Sequence, residues 1–340
     1  MADYLHSYLG HDSQLFGFEE HRLCGGRGDG MRLLQAKNGK GLEFTISLDR
    51  CADISRMSFK GNNLGYFAPC GYVGPQYYDD NKAGFLKSFT AGFLTTCGLT
   101  AVGSPCVDEG EELPLHGEIS NIPSEEAYYY IDRENQIPEL VLRATIRQAK
   151  IFAEKLELRR EIRCSTAVNE IKITDIVKNN GCKPSPLMIL YHFNIGYPLL
   201  AEQARLFIPS DSVLPRNEHA EKDIAIWNQV LPPQADFEEQ CYYHSFAKNS
   251  NKAFAAIYNP NIKAGLAIDF DTQELDCFTQ WKMMGIRDYV MGLEPGNCLP
   301  DGRDVMRKKG QLKFIRPGEE VTYHVNLRII ENEYKYKGGK

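Results

Sequence analysis

A chain of 340 residues, 43% hydrophobic and 25% charged, is long enough to bury a large core as one big domain or two ordinary ones. Its 39 basic and 45 acidic residues give a net charge of −6 without any long basic block, which argues against a nucleic-acid partner. No apolar run is long enough to span a bilayer, and the ten cysteines form no CxxC pair, so neither a membrane protein nor a zinc ribbon or disulfide framework is expected.

The N-terminus, Met1-Ala2-Asp3-Tyr4-Leu5-His6, lacks the basic-then-apolar order of a secretion signal, and with unpaired cysteines this predicts a cytoplasmic protein. Residues 1–30 read as an edge piece or strap. Asn38-Gly39, between Met31–Lys37 and Leu42–Leu48, is a hairpin signal. Leu42, Phe44, Ile46 and Leu48 alternate with polar residues, the period of a strand with one buried face. Asp49-Arg50-Cys51-Ala52-Asp53 then interrupts the pattern with charge. It reads either as a surface turn with a local ion pair or as an arginine fork for ligand hydroxyls or a carboxylate.

Ala83–Leu86 and Asp236–Tyr243 are predicted as short helices, and no segment offers three turns with a clean apolar stripe. Thr95-Thr96-Cys97-Gly98-Leu99 lacks the lysine of a phosphate loop and is given a structural role. Leu115-His116-Gly117-Glu118 follows an acidic loop and is expected near the start of a strand, with His116 and Glu118 on one face. The runs around Leu140–Ile146, Leu156–Ile162 and Val321–Ile329 again alternate with period two, and Pro317-Gly318 turns the chain into the last of them. Residues 334–340 read as a loose tail. Together these segments predict a single all-β domain over residues 1–340, built from large antiparallel sheets stacked face to face.

Two strands carry the candidate chemistry. Leu187–Asn194 is apolar on both faces up to Tyr191, so it should be a central strand, with His192 and Asn194 projecting to one side. A histidine there is either satisfied inside the core or faces a pocket. Tyr289–Leu293 is a second apolar run that ends in Glu294 before Pro295-Gly296 turns the chain, which sets a carboxylate at the rim of a strand. Lys282, beside Trp281, is a candidate for the same site. One histidine and one glutamate on opposed strands make an acid/base couple that needs no cofactor or metal and suits the reversible ring opening of a cyclic sugar. A metal-dependent sugar isomerase using His116, Glu118 and His192 is the first alternative. A sugar-sensing protein without turnover is the second.

These motifs resemble the aldose 1-epimerase (galactose mutarotase-like) superfamily. Gly292-Leu293-Glu294-Pro295 with Leu299-Pro300-Asp301 is similar to its base motif, Tyr191-His192-Phe193-Asn194 to its histidine strand, and Leu115-His116-Gly117 to the segment with its second histidine. Asp49-Arg50, Asp53-Ile54 and Thr95–Leu99 add a closer resemblance to an uncharacterised, DUF4432-like branch. The resemblance implies a β-supersandwich with a sugar on the concave face of one sheet, Glu294 as base and His192 as acid. It implies that His116 and Arg50 hold sugar hydroxyls, with Asn194 and Lys282 as further contacts and Asp288 or Asp269 in the place of the family's substrate-binding aspartate. The implied partner is a small-molecule sugar, and pairing of edge strands makes a homodimer possible.

Overall fold

The computed structural model describes residues 7–247 and 251–332. The chain is nearly all β and is organised as three main antiparallel sheets. The largest has eight strands in the order Glu126–Asp132, Glu139–Ala149, Lys155–Ser165, Glu170–Asn179, Glu320–Ile330, Ala264–Asp271, Lys252–Asn259 and Arg205–Phe207. The second has six strands in the order Ser212–Pro215, Gln240–Ser245, Cys277–Met284, Tyr289–Gly296, Met188–Ile195 and Leu94–Leu99. The third has five strands and gathers the chain from Gly17 to Asn63, including the hairpin at Asn38-Gly39. The loose tail expected at 334–340 and the residues Met1 to His6 lie outside the described residues.

Period-two alternation positions the core. Leu140, Leu142, Ala144 and Ile146 are buried, as are Leu156, Leu158 and Ile162 on the neighbouring strand. They pack in one cluster with Ile189, Tyr191, Phe193 and Ile195 of the six-stranded sheet. The inner face of each sheet is therefore apolar, and its burial is the main force that stacks them. Since one face of the Met188–Ile195 strand is committed to this core, Met188, Leu190, His192 and Asn194 must project to the other.

A buried polar cluster ties the layers together. Arg160 is fully buried, grips Asp175 with two hydrogen bonds of 2.9 and 2.6 Å, and reaches Asp53 at 2.6 Å. Asp53 in turn accepts from the Thr96 backbone and hydroxyl, while Tyr191 donates to Asp175 at 2.8 Å. This explains why charge interrupts the sequence at Asp53, and it anchors the strand that carries His192.

Two local expectations are corrected. Asp236–Tyr243 is not a helix: Gln240–Ser245 is a strand beside Cys277–Met284, with Tyr242 and His244 facing inward and Cys241 and Tyr243 outward. Tertiary pairing overrides a weak helical pattern here. His116 and Glu118 do not share a strand face. His116 sits in a turn at φ 60° and Glu118 precedes a short 3-10 helix.

Candidate active site

The six-stranded sheet sets one row of side chains across its outer face. Antiparallel pairing aligns Thr95 with His192, Glu294 with Thr279 and Thr279 with Tyr243. The register that pairs Phe193 with Leu293 puts His192 opposite Glu294. An adjacent row holds Asn194, Gly292, Trp281 and Cys241. Five strands thus bring together groups separated by more than a hundred residues, on a rigid element suited to precise chemistry.

Above these rows lies a cleft of about 230 Å³. Its floor is His192, Glu294 and Thr279, and its walls include Trp281, Phe89, Phe85, His116, Arg216 and Glu239. His192 Nε2 and Glu294 Oε1 are 3.2 Å apart, and both residues are nearly inaccessible. The carboxylate takes this stance because Gly292 has no side chain: a Cβ there would lie 2.1 Å from Glu294 Oε1. His192 is ringed by aromatic groups, with Phe89, His116 and Trp281 centred 5.4 to 5.5 Å away at steep angles.

Burial dominates the electrostatics. It drives the Glu294 carboxyl well above its ordinary range, reinforced by the Glu239 charge and opposed by Arg216. It drives the His192 imidazole well below its ordinary range, and the neighbouring His116 acts in the same sense. Burial lowers His116 as well, to about 4, helped by Arg216. Burial thus favours the neutral form of each partner, the protonated carboxyl of Glu294 and the neutral imidazole of His192, across a contact of 3.2 Å.

Walls and floor are held from behind. Trp281 Nε1 donates to Glu239 at 2.7 Å. Arg216 donates to Ser104 Oγ and the Pro300 carbonyl, and its Nε stands 3.5 Å from Asp301. Asp301 is fixed by Tyr243 and Lys309. Gly117 lets the His116 turn approach the sheet, since a Cβ there would lie 2.4 Å from the Gly98 and Ala101 carbonyls. Among the described residues, eleven buried side-chain polar atoms lack a hydrogen-bond partner. Four of them sit on cleft residues, His116, His192, Thr279 and Glu294, and a fifth on the adjacent Asn194. Buried polar groups are ordinarily satisfied, so a cluster of exceptions in a cleft marks a surface shaped for a polar ligand.

Of the residues selected from sequence, His192, Glu294 and His116 meet in the cleft. Asn194 lies next to His192, with its amide given to the His192 and Ala91 carbonyls. Arg50 does not reach the cleft. Its guanidinium is spent on the carbonyls of Ser120, Val73 and Ser88, which makes it a buried clamp for loops. Lys282 alternates with Trp281 and so points to the opposite face, where it donates to the Ile226 carbonyl and burial lowers its pKa to about 8. Asp288 sits at the strand turn and accepts from Tyr66, while Asp269 is paired with Arg328 on the other sheet. Glu118 is bonded to Lys150 at 2.7 Å, so the ligand set His116, Glu118 and His192 is not assembled. No group of three or more potential metal ligands converges among the described residues.

Arg216, Glu239, Thr279 and Trp281 are the cleft residues that sequence reasoning did not assign. Trp281 and Thr279 were legible in principle, since period two places both on the face opposite Lys282. Arg216 and Glu239 flank strands in irregular chain and carry no pattern.

Large antiparallel sheets stacked in this way match a galactose mutarotase-like fold. The chain belongs to the family described as a domain of unknown function, DUF4432, whose model matches residues 28–329. A crystal structure from Klebsiella pneumoniae subsp. pneumoniae, provisionally named an aldose 1-epimerase, is 26% identical with a TM-score of 0.89, over 95% of this chain and 87% of that one. A galactose mutarotase-like protein from Clostridium acetobutylicum shares the fold at 13% identity and a TM-score of 0.67, over 93% and 99% of the two chains. Galactose 1-epimerase from Lactobacillus acidophilus does so at 13% and 0.61, over 92% and 98%. No curated protein matches the sequence.

Proposed function

We propose that this cleft interconverts the anomers of an aldose by acid/base ring opening and closing. The observation that carries the reading is the 3.2 Å juxtaposition of His192 and Glu294 at the floor of the cleft. The anomeric hydroxyl oxygen and the ring oxygen of a pyranose are bonded to the same carbon. A base for one and an acid for the other must therefore stand side by side. Glu294, as carboxylate, takes the proton of the anomeric hydroxyl while His192, as imidazolium, gives one to the ring oxygen. The bond between the anomeric carbon and the ring oxygen breaks, the aldehyde rotates, and the ring closes on its other face as both protons return. Trp281 and Phe89 offer apolar faces to the sugar, and His116, Arg216 and Glu239 offer polar contacts.

The test is anomer exchange by saturation-transfer NMR on glucose, galactose, xylose, glucuronic acid and glucose 6-phosphate. Wild type is expected to accelerate exchange for at least one of them. His192→Asn and Glu294→Gln are each expected to reduce that acceleration by about a hundredfold or more. Exchange at the wild-type rate in Glu294→Gln would show that Glu294 is not the base.

A further inference from the structure

Thr279 has a hydroxyl that the protein itself does not use. The residue is 1% exposed, and its Oγ1 has no hydrogen-bond partner. It nevertheless lines the cleft, directly across the strand pair from Glu294. Directly opposed side chains on one face of an antiparallel pair stand about 5 Å apart at Cβ, so a ligand atom bound to one is within reach of the other. A threonine kept in a core solely for its shape would be served better by valine, because an unsatisfied buried hydroxyl destabilises the fold.

We propose that Thr279 is a third catalytic group, whose hydroxyl donates a hydrogen bond to the sugar oxygen from which Glu294 takes the proton. The inference rests on the ring-opening reading above. As the proton leaves for Glu294, the bond from the anomeric carbon to the ring oxygen breaks, and its electron pair is protonated by His192. The anomeric oxygen becomes a carbonyl oxygen and gains strength as an acceptor. Thr279 keeps its own proton throughout and stabilises that oxygen, as preorganised donors do at other sites of developing charge. The groups facing Glu294 from the surrounding elements are His192, Cys97, Cys241, Glu239, Arg216 and His116. Of these, only Arg216 is a permanent donor. Its Nη2 is already bound to Ser104 and the Pro300 carbonyl, and Thr279 supplies an unpartnered hydroxyl on the strand directly paired with that of the base.

Thr279→Val and Thr279→Ser decide the matter, with anomer exchange measured on whichever sugar of the panel wild type accelerates. Thr279→Val is expected to lower kcat ten- to a hundredfold with KM little changed, while thermal stability is kept or raised because an unpartnered hydroxyl has been removed. Thr279→Ser is expected to restore kcat to within a few-fold of wild type. Unchanged kcat in Thr279→Val overturns the proposal. So does a loss shared equally by Thr279→Ser, or one accompanied by a lowered Tm, since either would mark a packing role. Exchange at the wild-type rate in Glu294→Gln would instead remove the ring-opening reading beneath it, so the two failures are told apart.

Discussion

Gly292→Ala isolates the stance of the base from its chemistry. Gly292 pairs with Asn194 on one side and Trp281 on the other, and its φ is not in the left-handed region, so the backbone accepts alanine. The added Cβ would lie 2.1 Å from Glu294 Oε1 and 3.0 Å from Trp281 Cβ. Restoring an ordinary contact of 3.4 Å requires the carboxylate to retreat by about 1.3 Å, because the Trp281 backbone is fixed in the sheet. A displacement of about 1 Å at a reacting group can cost about a hundredfold in rate. Anomer exchange in Gly292→Ala is therefore expected to fall by about that factor, with the circular dichroism spectrum unchanged. In a Glu294→Gln background the same substitution should cost almost nothing more, since the two changes act through one group. Wild-type exchange in folded Gly292→Ala would refute the argument, because the 3.2 Å contact with His192 could then have no part in catalysis.

Two further outcomes concern stability. Burial lowers His116 and His244 to about 4, against about 6.5 in an unfolded chain, so the unfolded state takes up their protons first. Their contribution is fully present above about pH 6.5 and is lost as pH falls toward 4, by up to about 3 kcal/mol for each. Urea midpoints measured between pH 7 and 4 should show this slope, and His244→Gln should flatten it. An identical slope in the variant would count against the assignment. Asp175→Ala leaves Arg160 buried with only Asp53 to offset its charge, and such a break is expected to cost about 3–5 kcal/mol. A midpoint change equivalent to less than 1 kcal/mol would mean that the cluster relaxes or admits water.

Much of the fold was legible because each strand advertises its buried face. Leu140 to Ile146 and Leu156 to Ile162 follow period two without interruption, and both runs are buried as read. The same logic found His192, whose strand is apolar on both faces. It failed at Gln240–Ser245, where His244 and Gln240 occupy the inward positions and hide the alternation. Charge misled in the other direction. Arg50 and Lys282 looked available for a ligand, yet both are consumed by backbone carbonyls, a use that leaves no trace in the residue's own neighbourhood. Arg216 and Glu239 reach the cleft from chain flanking the strands, and only tertiary structure shows where such residues point.

The floor of the cleft is also where the fold is least satisfied. Five buried polar atoms around His192 and Glu294 find no hydrogen bond within the protein, which costs stability on a sheet otherwise well packed. Glu294 adds to this cost, because a carboxyl whose pKa is raised on folding is harder to ionise there than in the open chain. That penalty is absent below about pH 4.5 and grows as pH rises above it. A sheet evolved for stability alone would place valine at Thr279 and an apolar residue at Glu294. The strain is tolerated because the strands beneath are pinned by the Arg160 cluster and by the core contacts of Tyr191, Phe193 and Leu293. Rigidity keeps the unsatisfied groups from turning aside to find partners within the protein, which suits the proposed sugar, a ligand with both donors and acceptors at every hydroxyl.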